Sequence, residues 1–477
     1  MSNEPSKPPP VKASDRKTSE KDKTTFLEKI SYAFGLVGFS IGYSGVNNLA
    51  YPIFNMTLHV SPTLIGLVLG LSRLWDALTD PLMGSISDNA KLRWGRRKPF
   101  ILLGSILCAL VFPLMWFVPL SFGPDSAFWW FLIATLLFYT CFTIYSVPYL
   151  SLSYEMTPDS KERTRISAVS SLVAKLTSMT LPWVYRLAQA DFFPSTMVGM
   201  RVLSVLMGIA FVGFAIPMIF NCKERFQKTS KTQKKIGVIS GLKETAKNRP
   251  FVLIVSIATL MQGSISMIAS LGIYINSYYI FGGDTKLGAS YAAMSGMVYA
   301  FGSIAAIPVV TYLSNRLGKR NVMFMCLSCC IVASFSKFFF YTPAAPFLQF
   351  ISVGLMAPGQ TAFYVLLNPM KADTADYDEY KTGLRREGTY AAVSNWVEKV
   401  GLTVALFLSG YILDFANFDV ILGGDQTDAT FLTIRLLFTF VPVVGLGIGI
   451  ILLYFYPLTD DRMYEIRDEM EGRRGAV

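Results

Sequence analysis

The chain has 477 residues, of which 52% are hydrophobic and 16% carry a charge, and its mean hydropathy is +0.43. This composition excludes an ordinary soluble enzyme and indicates a protein that crosses a membrane several times. A net charge of +11 would suit a nucleic-acid-binding protein if the chain were soluble. In a membrane protein an excess of Lys and Arg is typical of the cytoplasmic loops, so we expect no nucleic-acid partner.

The chain begins with a polar segment rich in Lys, Ser, Pro and Glu, which predicts a disordered cytoplasmic tail over 1–27. Apolar runs long enough to cross a bilayer as helices then follow. They predict a first bundle of six helices over 28–221, with spans near 28–56, 61–87, 100–118, 127–152 and 166–188 and a sixth ending near 221.

A polar segment with nine Lys/Arg against two acidic residues follows, and it predicts a basic cytoplasmic linker over 222–250. Six further apolar runs predict a second bundle over 251–456, and the charged segment 457–477 predicts a cytoplasmic tail. The spans of this bundle lie near 251–280, 287–313, 321–341, 346–371, 388–413 and 429–456. We therefore predict an all-α membrane protein with twelve transmembrane helices.

Lysine and arginine are concentrated in alternate loops, which predicts that both termini are cytoplasmic and that the protein is a multi-pass protein of the plasma (inner) membrane. The two halves also repeat. The motif W-G-R-R-K-P around Gly95 is similar to L-G-K-R-N-V around Gly318, 318 − 95 = 223 residues later. Arg163 and Arg385 are 385 − 163 = 222 residues apart. A repeat of this kind predicts a substrate site between the halves and transport by alternating access.

The second predicted helix carries three charges, Arg73, Asp76 and Asp80, at spacings that place them on one face. Charges in hydrocarbon are costly unless they meet a partner or a watery cavity. A structural Arg–Asp pair is one interpretation. Two carboxylates against one guanidinium leave a surplus negative charge, however, and this favours a site for a cation or an exchangeable proton.

Several motifs resemble those of the glycoside–pentoside–hexuronide:cation symporters, the melibiose-permease-like branch of the major facilitator superfamily. They are K-I-S-Y-A-F-G at 29–35, W-D-A-L-T-D-P-L-M-G at 75–84, R-W-G-R-R-K-P-F at 93–100, Y-S-V-P-Y-L-S-L at 145–152 and A-D-T-A-D-Y-D-E-Y-K-T-G-L-R-R-E-G at 372–388. The resemblance implies the major facilitator fold of two six-helix halves, and symport of a sugar, glycoside or related carbohydrate with Na⁺ or H⁺.

The resemblance also implies roles for individual residues. Asp76, Asp80, Thr79 and Thr143 match the cation site, with Asp76 and Asp80 as the metal ligands if the ion is sodium. Lys399 matches a lysine that could pair with these carboxylates, and we assign it and Arg73 to coupling. The cytoplasmic gate is expected to include Glu162, Arg163, Asp373 and Arg385.

The sugar-binding positions differ from those of the melibiose-type members. Ser40 and Ser146 replace two carboxylates, Ser171 replaces an arginine, and Tyr364 retains an aromatic ring. Galactoside-binding chemistry is therefore not expected. Lys175 is one turn beyond Ser171 and could serve an anionic substrate. The predicted substrate-binding residues are Ser40, Asn47, Asn48, Ser146, Ser171, Lys175, Tyr364, Asn395, Trp396 and Glu398, with Gln262, Tyr299 and Gln360 as further candidates.

Two other functions remain open at this point. One is a sodium-dependent lysolipid carrier of the same branch, and the other is a membrane receptor or scaffold that transports nothing. We find no nucleophile–base pair, metal-ligand cluster or phosphate-binding glycine loop, so an enzyme is not expected. We expect a monomer without a cofactor, whose partners are a small carbohydrate, the co-transported cation and the bilayer.

Overall fold

The computed structural model of the protein describes residues 23–90, 92, 94–119, 121–157, 159–224, 243–383 and 386–474. Within these ranges the chain forms helices and no β-strand. The helices are α1 (26–55), α2 (Pro62–Asn89), α3 (Lys98–Trp116), α4 (Pro124–Met156), α5 (160–188), α6 (Thr196–Asn221), α7 (Arg249–Ile280), α8 (Thr285–Leu317), α9 (Lys319–Phe340), α10 (Gln349–Thr382), α11 (Glu387–Phe415), α12 (Asp428–Tyr454) and α13 (Asp460–Arg474).

Helices α1 to α12 correspond to the twelve predicted spans, and the all-α prediction is confirmed. Nine of them, among the described residues, are long and apolar enough to cross a membrane. The other three are α1, α2 and α5. Two π-helical stretches, Ile41–Gly45 and Tyr51–Asn55, interrupt α1, and a turn at Leu181 and Pro182 divides α5. Such irregular backbone is tolerated at membrane depth where it is packed inside protein.

Two segments are more helical than the sequence predicts. α10 continues to Thr382, past the predicted end at Lys371, because its last turns carry polar residues that favour a helix without resembling a membrane span. The C-terminal segment, predicted only as a charged tail, forms α13. This helix packs against α10 and buries Met463 and Ile466.

The packing of the helices repeats from one half to the other. α1 packs on α5 and α6, as α7 packs on α11 and α12. α3 packs on α4 and α6, as α9 packs on α10 and α12, and α2 packs on α4 as α8 packs on α10. The halves meet through α2 against α11 and α5 against α8. The predicted six-plus-six arrangement, the major facilitator fold, is therefore present.

Two glycines occupy equivalent turns in the repeat. Gly95 precedes α3 with φ +107°, and Gly318 precedes α9 with φ +81°. A Cβ on either would collide with a carboxylate, that of Glu224 at 2.6 Å or that of Asp460 at 2.7 Å. The same carboxylates accept backbone N–H groups at the starts of the two helices, from Lys98 at 3.0 Å and from Lys319 at 2.7 Å. An acidic residue after the last helix of each half thus caps the third helix.

We call the side of the molecule that carries these two turns the basic side, and the opposite side the distal side. On the distal side α2 and α11 approach so closely that a Cβ on Gly66 would lie 2.9 Å from the backbone nitrogen of Gly410. A Cβ on Gly410 would lie 2.2 Å from the carbonyl oxygen of Pro62. Glycine lets these two backbones touch, and the halves are closed together here.

Candidate functional site

The predicted cation site lies where α2 of the first half crosses α11 of the second. Asp76 and Asp80 are one turn apart on α2, and Lys399 approaches both from α11. Its Nζ donates to Asp76 Oδ2 at 3.2 Å and also to Asp80 Oδ2. One ammonium thus bridges two carboxylates, and the three side chains together carry one surplus negative charge.

Two threonines complete the surroundings of the carboxylates. Thr143 of α4, 2% exposed, donates from Oγ1 to Asp76 Oδ1 at 3.3 Å. The hydroxyls of Thr143 and Thr79 are 3.1 Å apart. The structure therefore brings together all four residues that the resemblance assigned to the cation site.

One oxygen of this cluster has no hydrogen-bond partner among the described residues. Asp80 Oδ1 is buried and receives no donor, whereas the other carboxylate oxygen of Asp80 is bound by Lys399. Buried acceptors are normally paired, so an open carboxylate oxygen beside two hydroxyls is a free ligand position for a hard cation. The site can hold Na⁺ through oxygen atoms, or a proton on a carboxylate.

Arg73 does not join this cluster, contrary to the interpretation of an Arg–Asp pair. The described residues contain no ion pair between Arg73 and either aspartate. Its Nη2 donates to the carbonyl oxygen of Tyr43, and its guanidinium carbon lies 4.3 Å from the ring centroid of Tyr43 and 5.0 Å from that of Tyr139. Lys399 occupies the position at the carboxylates because α11 crosses α2 there, which spacing along α2 alone does not reveal.

A cavity of about 590 Å³ lies between the halves. Its walls come from α1, α2 and α5 of the first half and from α7 to α12 of the second. Tyr51 and Ser409 line it, and their hydroxyls are hydrogen-bonded to each other at 2.8 Å. The cavity is large enough for a small sugar, and its position between two repeats is the one that alternating access requires.

Few of the predicted substrate-binding residues line this cavity. Asn47 and Asn48 do, as do the further candidates Tyr299 and Gln360, whose side chains are hydrogen-bonded at 2.5 Å. The residues of the prediction that do not line it are Ser40, Ser146, Ser171, Lys175, Tyr364, Asn395, Trp396 and Glu398. Ser146 is only 5% exposed within α4. Most positions transferred through the family resemblance therefore lie outside this cavity.

Three of the remaining candidates make contacts with other side chains, and one of these partners, Tyr299, lines the cavity. The Nζ of Lys175 lies 5.4 Å from the ring centroid of Tyr299, across the boundary between the halves. The hydroxyl of Tyr364 donates to Gln262. Glu398 accepts from Lys371 and, at 2.7 Å, from the hydroxyl of Ser394.

The predicted gate residues make contacts within their own halves. Glu162 accepts from Thr24 at 3.0 Å and from Arg165 at 3.0 Å, and it also pairs with Lys29. Asp373 pairs with Lys319. The Nε of Arg163 donates to the carbonyl oxygen of Thr157 at 3.1 Å. Arg385 lies outside the described residues.

Sequence reasoning missed several residues that line the cavity. They are Ser178, Ser266, Ser270, Asn276, Ser295 and Lys337. The serines and the asparagine resemble the polar residues that bridge helices in many membrane proteins, so no signal distinguished them. Lys337 did carry a signal, because it is a charge within the apolar span of α9.

The chain matches the family model described as MFS/sugar transport protein over residues 31–460. It is 24% identical over 453 residues to the "Glucuronide carrier protein homolog" of Escherichia coli, covering 92% of this chain and 95% of that one. It is also 24% identical to the "Isoprimeverose transporter" of Lactiplantibacillus pentosus, covering 91% of this chain and 89% of that one.

Solved structures with the same fold include a D-xylose-proton symporter, with a TM-score of 0.64, 12% identity and coverage of 89% of this chain and 97% of that one. A bacterial homolog of the human lysosomal transporter Spinster, solved in an inward-facing conformation, gives a TM-score of 0.63 at 16% identity and covers 90% of this chain and 95% of that one. At these identities the likeness establishes the fold alone. From the family model and the sequence relatives together, the chain belongs to the MFS/sugar transport proteins, in the glycoside–pentoside–hexuronide:cation symporter branch of the major facilitator superfamily.

Proposed function

We propose that the protein is a secondary active transporter that moves a sugar or glycoside inward across the plasma membrane, together with Na⁺ or H⁺. The family supports carbohydrate symport. The observation that carries the choice of ion site is the bridge from Lys399 of the second half to Asp76 and Asp80 of the first. A receptor or scaffold would have no use for this charged cluster between two halves that must move.

The bridge suggests how ion binding and movement are coupled. A cation that binds Asp76 and Asp80 competes with the Lys399 ammonium for the same oxygens. Binding therefore weakens a link between α2 and α11, which is the contact that must change when the halves rock. A ligand shifts a conformational equilibrium only through such a difference in its interactions with the two states.

The proposed orientation places the basic side in the cytoplasm, following the loop charges. The distal side, which is closed, then faces the external medium, and the cavity faces the cytoplasm. Glu162 and Asp373, at the basic side, would exchange their present partners for contacts between the halves when that side closes. Arg163 and Arg385 would belong to the same gate.

The test is uptake into proteoliposomes of neutral sugars, uronates, sulfonated sugars and lysophospholipid, each with a sodium gradient, a proton gradient or neither. We expect carbohydrate uptake driven by one of the two gradients. It should be lost in Asp76→Asn and Asp80→Asn but retained in Asp425→Asn, which alters an exposed loop carboxylate.

Two results would contradict the proposal. Carbohydrate uptake that ignores both gradients and survives both aspartate substitutions would indicate a uniporter. Accumulation of lysophospholipid alone would assign the protein to the lipid carriers instead.

A further inference from the structure

Among the described residues that line the cavity between the halves, Lys337 is the one that carries a charge. It lies in the last turn of α9 and is 8% exposed. The structure gives its ammonium no ion pair and no side-chain hydrogen bond within the described ranges. The ammonium lies 4.3 Å from the ring centroid of Phe438 on α12.

Structural roles do not account for this lysine. A lysine that snorkels to the membrane surface exposes its ammonium, whereas Lys337 is buried beside a cavity. A cation near a helix C-terminus gains about 0.3–1 kcal/mol from the helix dipole, less than the several kcal/mol that burial costs. The end of α9 also has another cation, because Arg435 Nη2 donates to the carbonyl oxygen of Phe338 at 2.7 Å.

Other polar atoms of the cavity also have no partner among the described residues. They are Asn47 Oδ1, Ser270 Oγ, Asn276 Oδ1 and Ser295 Oγ, all of them buried and all from lining residues. Groups of this kind form hydrogen bonds with the hydroxyls of a carbohydrate. The lining residues within the described part of the chain include no Asp or Glu, so these walls carry a positive charge without a balancing carboxylate.

We propose that Lys337 binds an anionic group on the substrate, and that the substrate is a sugar with a single carboxylate or sulfonate. The anionic group of the substrate forms the ion pair that the buried Lys337 ammonium lacks among the described residues. The unpaired amide and hydroxyl groups of the cavity wall bind the hydroxyls of the sugar ring. This inference deepens the proposed function and rests on it for the carbohydrate. It differs from the prediction for Lys175, whose side chain does not line the cavity.

The test is direct binding to purified protein at constant pH and sodium concentration, measured by calorimetry with methyl glucuronide, methyl glucoside and a 6-sulfonated methyl glucoside. We expect the wild type to prefer both anionic sugars. In Lys337→Gln the preference should fall about tenfold or more, as for one charge-assisted hydrogen bond, while glucoside affinity is largely kept. Lys337→Arg should retain the preference, and so should Lys175→Gln.

A preference that survives in Lys337→Gln, or that disappears in Lys175→Gln instead, would overturn the assignment. If Lys337→Gln does not fold, Lys337→Met provides the same comparison, because an apolar side chain suits the ring of Phe438 and leaves no charge to bury. Lys337-dependent anion binding without gradient-driven uptake would remove the symport proposal and keep this site. Gradient-driven uptake of neutral sugars without any preference for anionic sugars would keep the symport proposal and remove the Lys337 site.

Discussion

The chemistry of the ion site depends on a few individual side chains whose charges do not balance. Asp76 and Asp80 share one lysine, and one buried oxygen of Asp80 remains open. Lys399 stabilises the pair of carboxylates and also occupies the position that we propose for the transported cation. Removal of the Lys399 ammonium should therefore lower the stability of the protein and strengthen its binding of the cation.

Lys399→Met should lower the thermal stability of the purified protein in choline buffer, because two close carboxylates lose their shared counter-charge. If the transported cation is Na⁺, sodium should restore the stability of Lys399→Met by a larger increment than in the wild type, since sodium no longer competes with the ammonium. The measurement is melting temperature against sodium concentration. Lys371→Met, which removes the lysine paired with Glu398, is the control and should show the wild-type increment. Equal sodium stabilisation of Lys399→Met and wild type would refute the competition.

Helices α2 and α11 approach each other closely on the distal side, where the two halves meet. This approach depends on glycine, since a Cβ on Gly66 or Gly410 would meet backbone of the opposite helix. Helix association in membranes relies on such close packing, because lipid is as apolar as leucine and provides no hydrophobic driving force. The turns before α3 and α9 depend on glycine for a different reason, namely a positive φ beside a carboxylate.

Gly410→Leu should prevent the distal side from closing and should reduce uptake strongly, while the purified protein stays folded. The reason is that α2 must move away from a side chain that meets the carbonyl oxygen of Pro62. Uptake in proteoliposomes measures the loss of transport, and gel filtration checks that the variant stays folded. Gly447→Leu on α12 is the matched control, because a Cβ there meets nothing within 4 Å. Unchanged uptake in Gly410→Leu would show that distal closure does not need this contact.

Gly95→Ala and Gly318→Ala should each lower the melting temperature more than Gly383→Ala. All three have positive φ, which costs a residue with a Cβ about 1 kcal/mol or more. Only the first two would also displace a capping carboxylate, as a Cβ on Gly383 meets nothing within 4 Å. Similar melting temperatures for all three variants would mean that the caps contribute little.

The whole molecule is closed at its distal side by contacts between equivalent parts of the repeat. Tyr51 of α1 and Tyr274 of α7 are 274 − 51 = 223 residues apart, and their ring centroids lie 6.4 Å from each other. Tyr51 is hydrogen-bonded to Ser409 at 2.8 Å, and the hydroxyl of Tyr274 donates to Asn55 at 2.6 Å. Each bond joins one half to the other, so the two hydrogen bonds together form a latch at the distal side.

The double variant Tyr51→Phe, Tyr274→Phe should open the distal side more often. Two hydrogen bonds worth about 1 kcal/mol each correspond to a shift of roughly tenfold or more in the equilibrium. A cysteine at Ser266, which lines the cavity, should then react faster with a membrane-impermeant thiol reagent added at the distal side. Tyr456→Phe, whose hydroxyl bonds Met370 within one half, is the control and should leave the labelling rate unchanged. An unchanged rate in the double variant would refute the latch.

The sequence by itself determined the class of fold, the twelve long helices of the two halves, the repeat, and the positions of Asp76 and Asp80 one turn apart on α2. Membrane spans are readable because each must be long, apolar and hydrogen-bonded within itself. The motif order then identified the family, and Thr143 and Lys399 with it. The sequence missed the last turns of α10 and the whole of α13. Both are polar helical segments at or beyond the membrane boundary, where hydropathy does not distinguish a helix from a loop.

Only the tertiary structure decided which polar residues face one another. Arg73 is three residues from Asp76, but its guanidinium packs on the rings of Tyr43 and Tyr139 instead of pairing with the carboxylate. The cavity required the same information, because its walls come from nine helices and Lys337 reaches it from α9. A span's sequence shows that it contains a polar residue, but the direction of that side chain is fixed by how the helices pack.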